Sequence, residues 1–254
     1  MAKQLLFYES AVPLNSTAHR WLSFEPVPGY AFASGVNAVP LTAVEIVPAA
    51  AEYPIVFTPV GEDMLPLAVL GVRPDQNLYL SADGRWEATY VPAFVRRYPF
   101  VFASSPDKKA FTLCIDDTHP GFNTAGRGDR LFDDDGKPSE YANRVMAFLK
   151  DYQEHFERTR LFSKRLVELG LLEPMEAVVT LPGNNKVPMR GFQGVSREKL
   201  RNLDGEALAS LAKSDELELI YLHLASLRNF GRVKDRFVGS MSGIVVQEPA
   251  AAPA

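Results

Sequence analysis

From residue 139 onward the apolar and small positions recur at steps of three and four: Tyr141, Val145, Phe148, Tyr152, Phe156, Thr159, Phe162, Leu166 and Leu169. Lys150, Asp151, Glu154, Glu157, Arg158 and Lys164 fall on the opposite side of the same wheel. That period predicts an amphipathic helix. Ser139 is placed to cap it, with Glu140 in the first turn, and Gly170 to stop it ahead of Pro174. About 30 helical residues would span roughly 45 Å, long enough for a kink or break to be an open expectation. The aromatic stripe predicts core packing first and a partner-binding groove second.

Before residue 121 the grammar is different. Apolar runs are short, and 13 of the 19 prolines lie there, which disfavours long helices. "YPIVF" (53–57) and "LPLAVLGV" (65–72) read as strands, and "NLYLSADGRWEATYV" (77–91) reads as a hairpin about Asp83-Gly84. "PFVFAS" (99–104) and "AFTLCID" (110–116) read as two more, joined by a polar turn over residues 105–108; Phe111, Leu113 and Ile115 alternate with Thr112 and Cys114. "PAFVRRY" between them suits a short helix opened by Pro92.

A β-like excursion over 177–195, turning at Pro182-Gly183-Asn184-Asn185, interrupts the helical half. Helices follow from Ser196 to Leu203, from a cap at Asp204, and from Asp215 to Phe230. The last carries a stripe of Leu217, Ile220, Tyr221, Leu224 and Leu227, with His223 and Arg228 beside it. The pattern predicts an α+β fold: a mainly antiparallel sheet in the N-terminal half packed against a C-terminal helical region. We expect one domain over 1–245, sheet-rich over 5–120 and helical over 139–237, with a Pro/Ala-rich disordered tail at 246–254.

Composition narrows the function classes. A formal net charge of −4 disfavours general nucleic-acid binding, and the single cysteine, Cys114, cannot form an intramolecular disulfide. No apolar window reaches the roughly 20 residues of a membrane span. The apolar run Leu5–Tyr8 is too short for a secretory signal and meets Glu9 at once, so a cytoplasmic location is expected.

Motifs for chemistry are incomplete. "GFNTAGRGDRLF" (121–132) has neither phosphate-loop spacing, and no nucleophile elbow is present. Setting Gly136 at the sixth position of a calcium loop puts Leu131 at position one and Ala142 at position twelve, so Asp133-Asp134-Asp135 reads as a solvated turn. "CIDDTHPGF" (114–122) places Asp116, Asp117 and His119 at a strand end, where carboxylates and imidazole could do acid–base or metal chemistry. No further ligand is nominated, so neither a metal site nor a cofactor is assigned. In "VPAFVRRYPFVF" (91–102), Arg96 and Arg97 sit among aromatic residues. Either one arginine pins the sheet to the helices through a carboxylate, or the pair recognises an anion beside Trp86 and Tyr90.

The ordered series "YPIVF", "LAVLGV", "NLYLSADGRWEATYVPAFVRRYPFVF", "LCIDD", "GDRLFDDDGKPS" and "LELIYLHLASLRNFGRVKDR" resembles the bacterial SapC family over about residues 5–237. The family takes its name from a surface-layer locus, and its relatives are often encoded near outer-membrane nutrient receptors. The resemblance carries no catalytic residues onto this chain. With no complete catalytic constellation but an Arg/aromatic cluster suited to recognition, the expectation is a cytoplasmic accessory or regulatory protein that binds a partner protein or a small anionic ligand; the resemblance adds a link to cell-surface or nutrient-uptake systems. The sequence leans away from an enzyme. The alternative is a metal-dependent enzyme acting on a peptide or amino-acid derivative through Asp116, Asp117 and His119.

Overall fold

In a computed structural model the described residues are 6–104, 111–180 and 186–242. The strands and helices, in chain order, are β1 (Ala11–Pro13), β2 (Ser23–Phe24), β3 (Ala38–Pro40), α1 (Ile46–Ala49), β4 (Ile55–Val60), β5 (Asp63–Val69), α2 (Ala93–Arg96), β6 (Phe100–Ser104), β7 (Phe111–Asp116), β8 (Phe122–Asn123), β9 (Asp129–Arg130), α3 (Glu140–Glu168), β10 (Leu172–Thr180), β11 (Lys186–Val195), α4 (Arg197–Arg201), α5 (Gly205–Lys213), α6 (Glu216–Ser226) and α7 (Phe230–Ser242). The fold is α+β, with sheets mostly in the N-terminal half and helices mostly in the C-terminal half.

Three antiparallel sheets result, in the orders β1-β7-β6, β10-β11-β4-β5-β3 and β8-β2-β9. The largest takes β10 and β11 from the helical half and docks them on β4 through the pair Gln193↔Phe57. The expected excursion over 177–195 is therefore a hairpin of nine- and ten-residue strands. Its turn at 182–185 lies outside the described residues, as do the turn at 105–108 and the tail. The hairpin expected over 77–91 reduces to one bridge, Leu80↔Trp86, about the Ser81–Arg85 turn. Its far side instead turns away toward Glu52, whose carboxylate accepts the Thr89 N–H.

Helix α3 forms where the periodicity placed it. The Ser139 hydroxyl accepts the Ala142 N–H, and Gly170 ends the helix at φ +65°, a conformation that costs glycine nothing. Its rear stripe, Tyr152, Thr159, Phe162 and Leu166, is buried against the large sheet. Thr159 fixes that contact: Oγ1 accepts the Ala43 N–H at 2.7 Å and donates to the His155 carbonyl at 2.6 Å.

The C-terminal helices are pinned to the sheet by buried polar groups. Ser226 Oγ accepts the Ile55 N–H at 3.0 Å, and Asn229 donates to the carbonyls of Ala50 and Tyr53. His223 Nε2 accepts the Val195 N–H at 3.0 Å. In α6 the buried face is Ile220, His223, Leu224 and Ser226, whereas Tyr221 is 51% exposed. The stripe is thus rotated from the one expected, because the side chain of His223 serves the sheet's last strand.

Candidate functional site

Pro92 opens the four-residue α2, and buried Glu45 seats it. One Glu45 oxygen accepts the Ala93 N–H at 2.6 Å and the Tyr90 hydroxyl at 2.7 Å; the other accepts the N–H and hydroxyl of Thr42. A carboxylate with four donors is satisfied inside the core, at low cost for its charge. It fixes α2 and with it the direction of the two arginines.

Arg97 faces inward, 7% exposed, with its guanidinium 4.1 Å from the Phe94 ring centroid and 5.1 Å from that of Tyr152. Arg96 faces outward. Its Nε donates to the Val91 carbonyl at 2.9 Å, and its head lies 5.4 Å from the Phe148 ring and 6.0 Å from the Tyr90 ring. Arg96 makes no ion pair among the described residues.

Both arginines border a cleft of about 530 Å³. One wall is the chain from Phe24 to Phe32 and the other is the front of α3, where Tyr141, Arg144, Val145 and Phe148 face it. The first part of the α3 stripe is therefore cleft wall, and only the rear part is core. His119 closes one side, packed against Phe24 at 5.4 Å and Tyr98 at 5.2 Å. Among the described residues three arginines and one histidine line the cleft, and no carboxylate does. Arg144 is partly engaged, pairing with Glu140 at 2.8 Å.

His119 is neutral in this setting: burial lowers its pKa, and the nearby Asp116 charge offsets only part of that. Its Nδ1 accepts the Gly121 N–H at 3.0 Å, so the proton sits on Nε2. Gly121 must be glycine for this approach, since a Cβ there would lie 2.5 Å from the Glu25 carbonyl oxygen and 2.9 Å from His119 Nδ1. Among the described residues Nε2 has no hydrogen-bond partner, and it is not sealed from solvent.

Asp116 is fully buried, and its own chain occupies both oxygens. They accept the N–H groups of Glu9 and Ser10, the Thr118 hydroxyl at 2.8 Å and the Tyr98 hydroxyl at 3.2 Å. Burial alone would raise its pKa, but these bonds outweigh burial and hold it below the usual carboxylate value. Asp117 is exposed and does not border the cleft. Asp133 closes the acidic turn by accepting the N–H groups of Asp135 and Lys137. Among the described residues no three His, Cys, Asp or Glu side chains are grouped to hold a metal ion.

Asp116→Asn is expected to lower the unfolding free energy by about 2 kcal/mol, because an amide cannot accept all these donors. The contribution is present above the ordinary carboxylate pKa and is lost as pH falls through the lower folded value. Urea denaturation at pH 7 checks it; a change under about 0.5 kcal/mol would contradict the assignment.

Trp86 and Tyr90 stand behind the cleft rather than in it. The Trp86 indole N–H donates to the Tyr53 hydroxyl at 2.7 Å, and its ring meets Tyr30, a cleft residue, edge-on at 5.7 Å. Tyr90 supports Arg96 from below while its hydroxyl serves Glu45. The structure thus brings Arg96, Arg97 and His119 to one cavity and leaves Asp116, Trp86 and Tyr90 as its supports. Sequence reasoning missed Arg144, whose signal was its place one residue from the α3 stripe, and missed the Phe24–Phe32 wall, which carries no local signal.

No helix among the described residues is long and apolar enough to cross a membrane. Neither the curated proteins nor the solved structures include a significant match to this chain. The SapC family model matches residues 14–233 of the 254, and the chain belongs to the SapC family.

Proposed function

We propose that this SapC-family chain is a recognition protein rather than a catalyst, and that the cleft beside α2 takes a small anionic ligand. The observation that carries the reading is the cleft's charge: among the described residues three arginines and no carboxylate line it, in a chain of formal net charge −4. Arg96 is the focus. It is exposed at the cleft, always charged, and without an ion pair among the described residues. A guanidinium so placed can give an anion two parallel hydrogen bonds. The volume falls in the range of small-molecule sites.

In this reading Arg97 stiffens the floor, and Trp86 and Tyr90 hold the wall and Arg96 from behind. The protein works in the cytoplasm as an accessory or regulatory component of a cell-surface or nutrient-uptake system, with ligand occupancy as its signal. An enzymatic reading through Asp116, Asp117 and His119 has less support, because Asp116 is consumed by structural bonds and Asp117 does not border the cleft.

Arg96→Ala tests it. Calorimetric titration with benzoate is expected to show binding at least about tenfold weaker than wild type, the loss of one charged bidentate contact. Unfolding free energy without ligand should stay within about 1 kcal/mol, since the side chain is exposed. Equal benzoate affinity in the two proteins would overturn the assignment.

A further inference from the structure

Resting on the anion-site reading, we infer that the occupant is a small aromatic monocarboxylate, its ring against the aromatic walls and its carboxylate on Arg96. Two features of the cleft carry the inference. The first is the lining: Phe24, Tyr30, Phe32, Phe100, Tyr141 and Phe148 all face it. Phe24 and Tyr141 lie near-parallel, their planes 24° apart and centroids 6.0 Å apart, while Phe100 meets Phe24 edge-on at 5.2 Å. Phe24 and Phe100 are buried and back the wall, while Tyr30, Phe32, Tyr141 and Phe148 are partly exposed and offer the ring surface that an aromatic body fills with least conformational cost. A short hydrophilic anion would leave them wet.

The second feature is the amount of charge on offer. Arg97 borders the cleft but is buried, stacked over Phe94 and Tyr152, and is engaged within the chain. Arg144 shares its charge with Glu140 and lies 5.8 Å from the Tyr141 ring. His119 contributes a neutral Nε2–H donor, its Nδ1 being committed to Gly121. Among the described residues lining the cleft, one guanidinium without an ion pair or a buried role remains, that of Arg96. It matches a carboxylate's single charge and planar pair of oxygens. A phosphate monoester, carrying about −1.5 to −2 at neutral pH, would be left partly uncompensated on entering the cleft.

The experiment is a calorimetric titration of the full chain with 2-naphthoate, 2-naphthamide, 2-naphthyl phosphate and acetate, repeated on Arg96→Ala and Arg96→Lys. We expect naphthoate to bind at least tenfold tighter than naphthyl phosphate and acetate, and naphthamide to show no measurable binding. Arg96→Ala should weaken naphthoate at least tenfold, and Arg96→Lys should recover only part of it, since an ammonium cannot form the paired bonds. If naphthyl phosphate binds as tightly as naphthoate and is lost in Arg96→Ala, the anion site stands and the carboxylate assignment falls. If acetate matches naphthoate, the aromatic body falls. If no anion binds, or naphthamide equals naphthoate, the anion-site reading falls with it.

Discussion

Glu45→Ala should cost about 4 kcal/mol of unfolding free energy, read from urea denaturation at pH 7. Glu45 is 3% exposed and takes four donors from Thr42, Tyr90 and Ala93. Removing its carboxylate leaves two backbone N–H groups and two hydroxyls without their acceptor in the core, each worth about 1–3 kcal/mol when orphaned. Water reaching the new void would return part of that. Glu45→Gln keeps the shape and one carbonyl oxygen, so about half the loss is expected. Because the Ala93 bond seats α2, the Ala variant should also weaken any ligand held by Arg96. A loss below about 1 kcal/mol would show that the network is not what fixes α2.

The second large effect is on acid stability and lies far from the cleft. His223 is fully buried beneath β11, and burial pushes its pKa down from 6.5 to about 4, an effect that its interaction with the Ile55 backbone opposes only in part. In the unfolded chain the imidazole titrates near 6.5. Between these two values the unfolded state binds the extra proton, so folding stability falls as pH drops from about 6.5 toward 4. Each tenfold difference in proton affinity between the two states is worth about 1.4 kcal/mol, so this residue alone removes about 3 kcal/mol over that window. His223→Gln keeps an acceptor for the Val195 N–H and cannot be protonated, so its stability should change less over the same range. Urea midpoints for both proteins at pH 7 and pH 4.5 isolate the difference from the carboxylates, which titrate in both. Parallel losses would contradict the assignment.

The sequence revealed most wherever the signal was local. Ser139, the stripe behind it and Gly170 define α3 because capping, period and chirality all act within a few residues. Asp204 caps α5 by accepting the Ala207 N–H for the same reason. Strands β6 and β7 were visible as adjoining apolar runs, although the alternation expected in β7 does not hold in the burial: Phe111 is 44% exposed and Cys114 is buried. What escaped depends on distant partners. The two-residue strands β2, β8 and β9 are too short to carry a period, and only their mutual pairing defines them. The docking of β11 on β4 joins chain segments with nothing in either to announce the other.

The candidate site follows the same division. "VPAFVRRYPFVF" announced that two arginines sit among aromatic rings, and Pro92 announced a short helix. Which arginine turns inward is set by the Ala93 N–H reaching Glu45, a contact spanning the core. The cleft itself is assembled from the Phe24–Phe32 segment, α2, the loop carrying His119, and the front of α3. The stripe on α3 did imply an apolar face, but a stripe does not say how much of it the core covers. Here the large sheet covers Tyr152 to Leu166, and Tyr141 to Phe148 are left to the cleft.

The most direct test of the anion-site account is an NMR titration of the arginine Nε–H resonances with 2-naphthoate. The account predicts a saturable shift of the Arg96 signal, accompanied by shifts of the His119 and Tyr141 ring protons. Saturable binding that leaves Arg96 unmoved while shifting resonances elsewhere on the chain would contradict it.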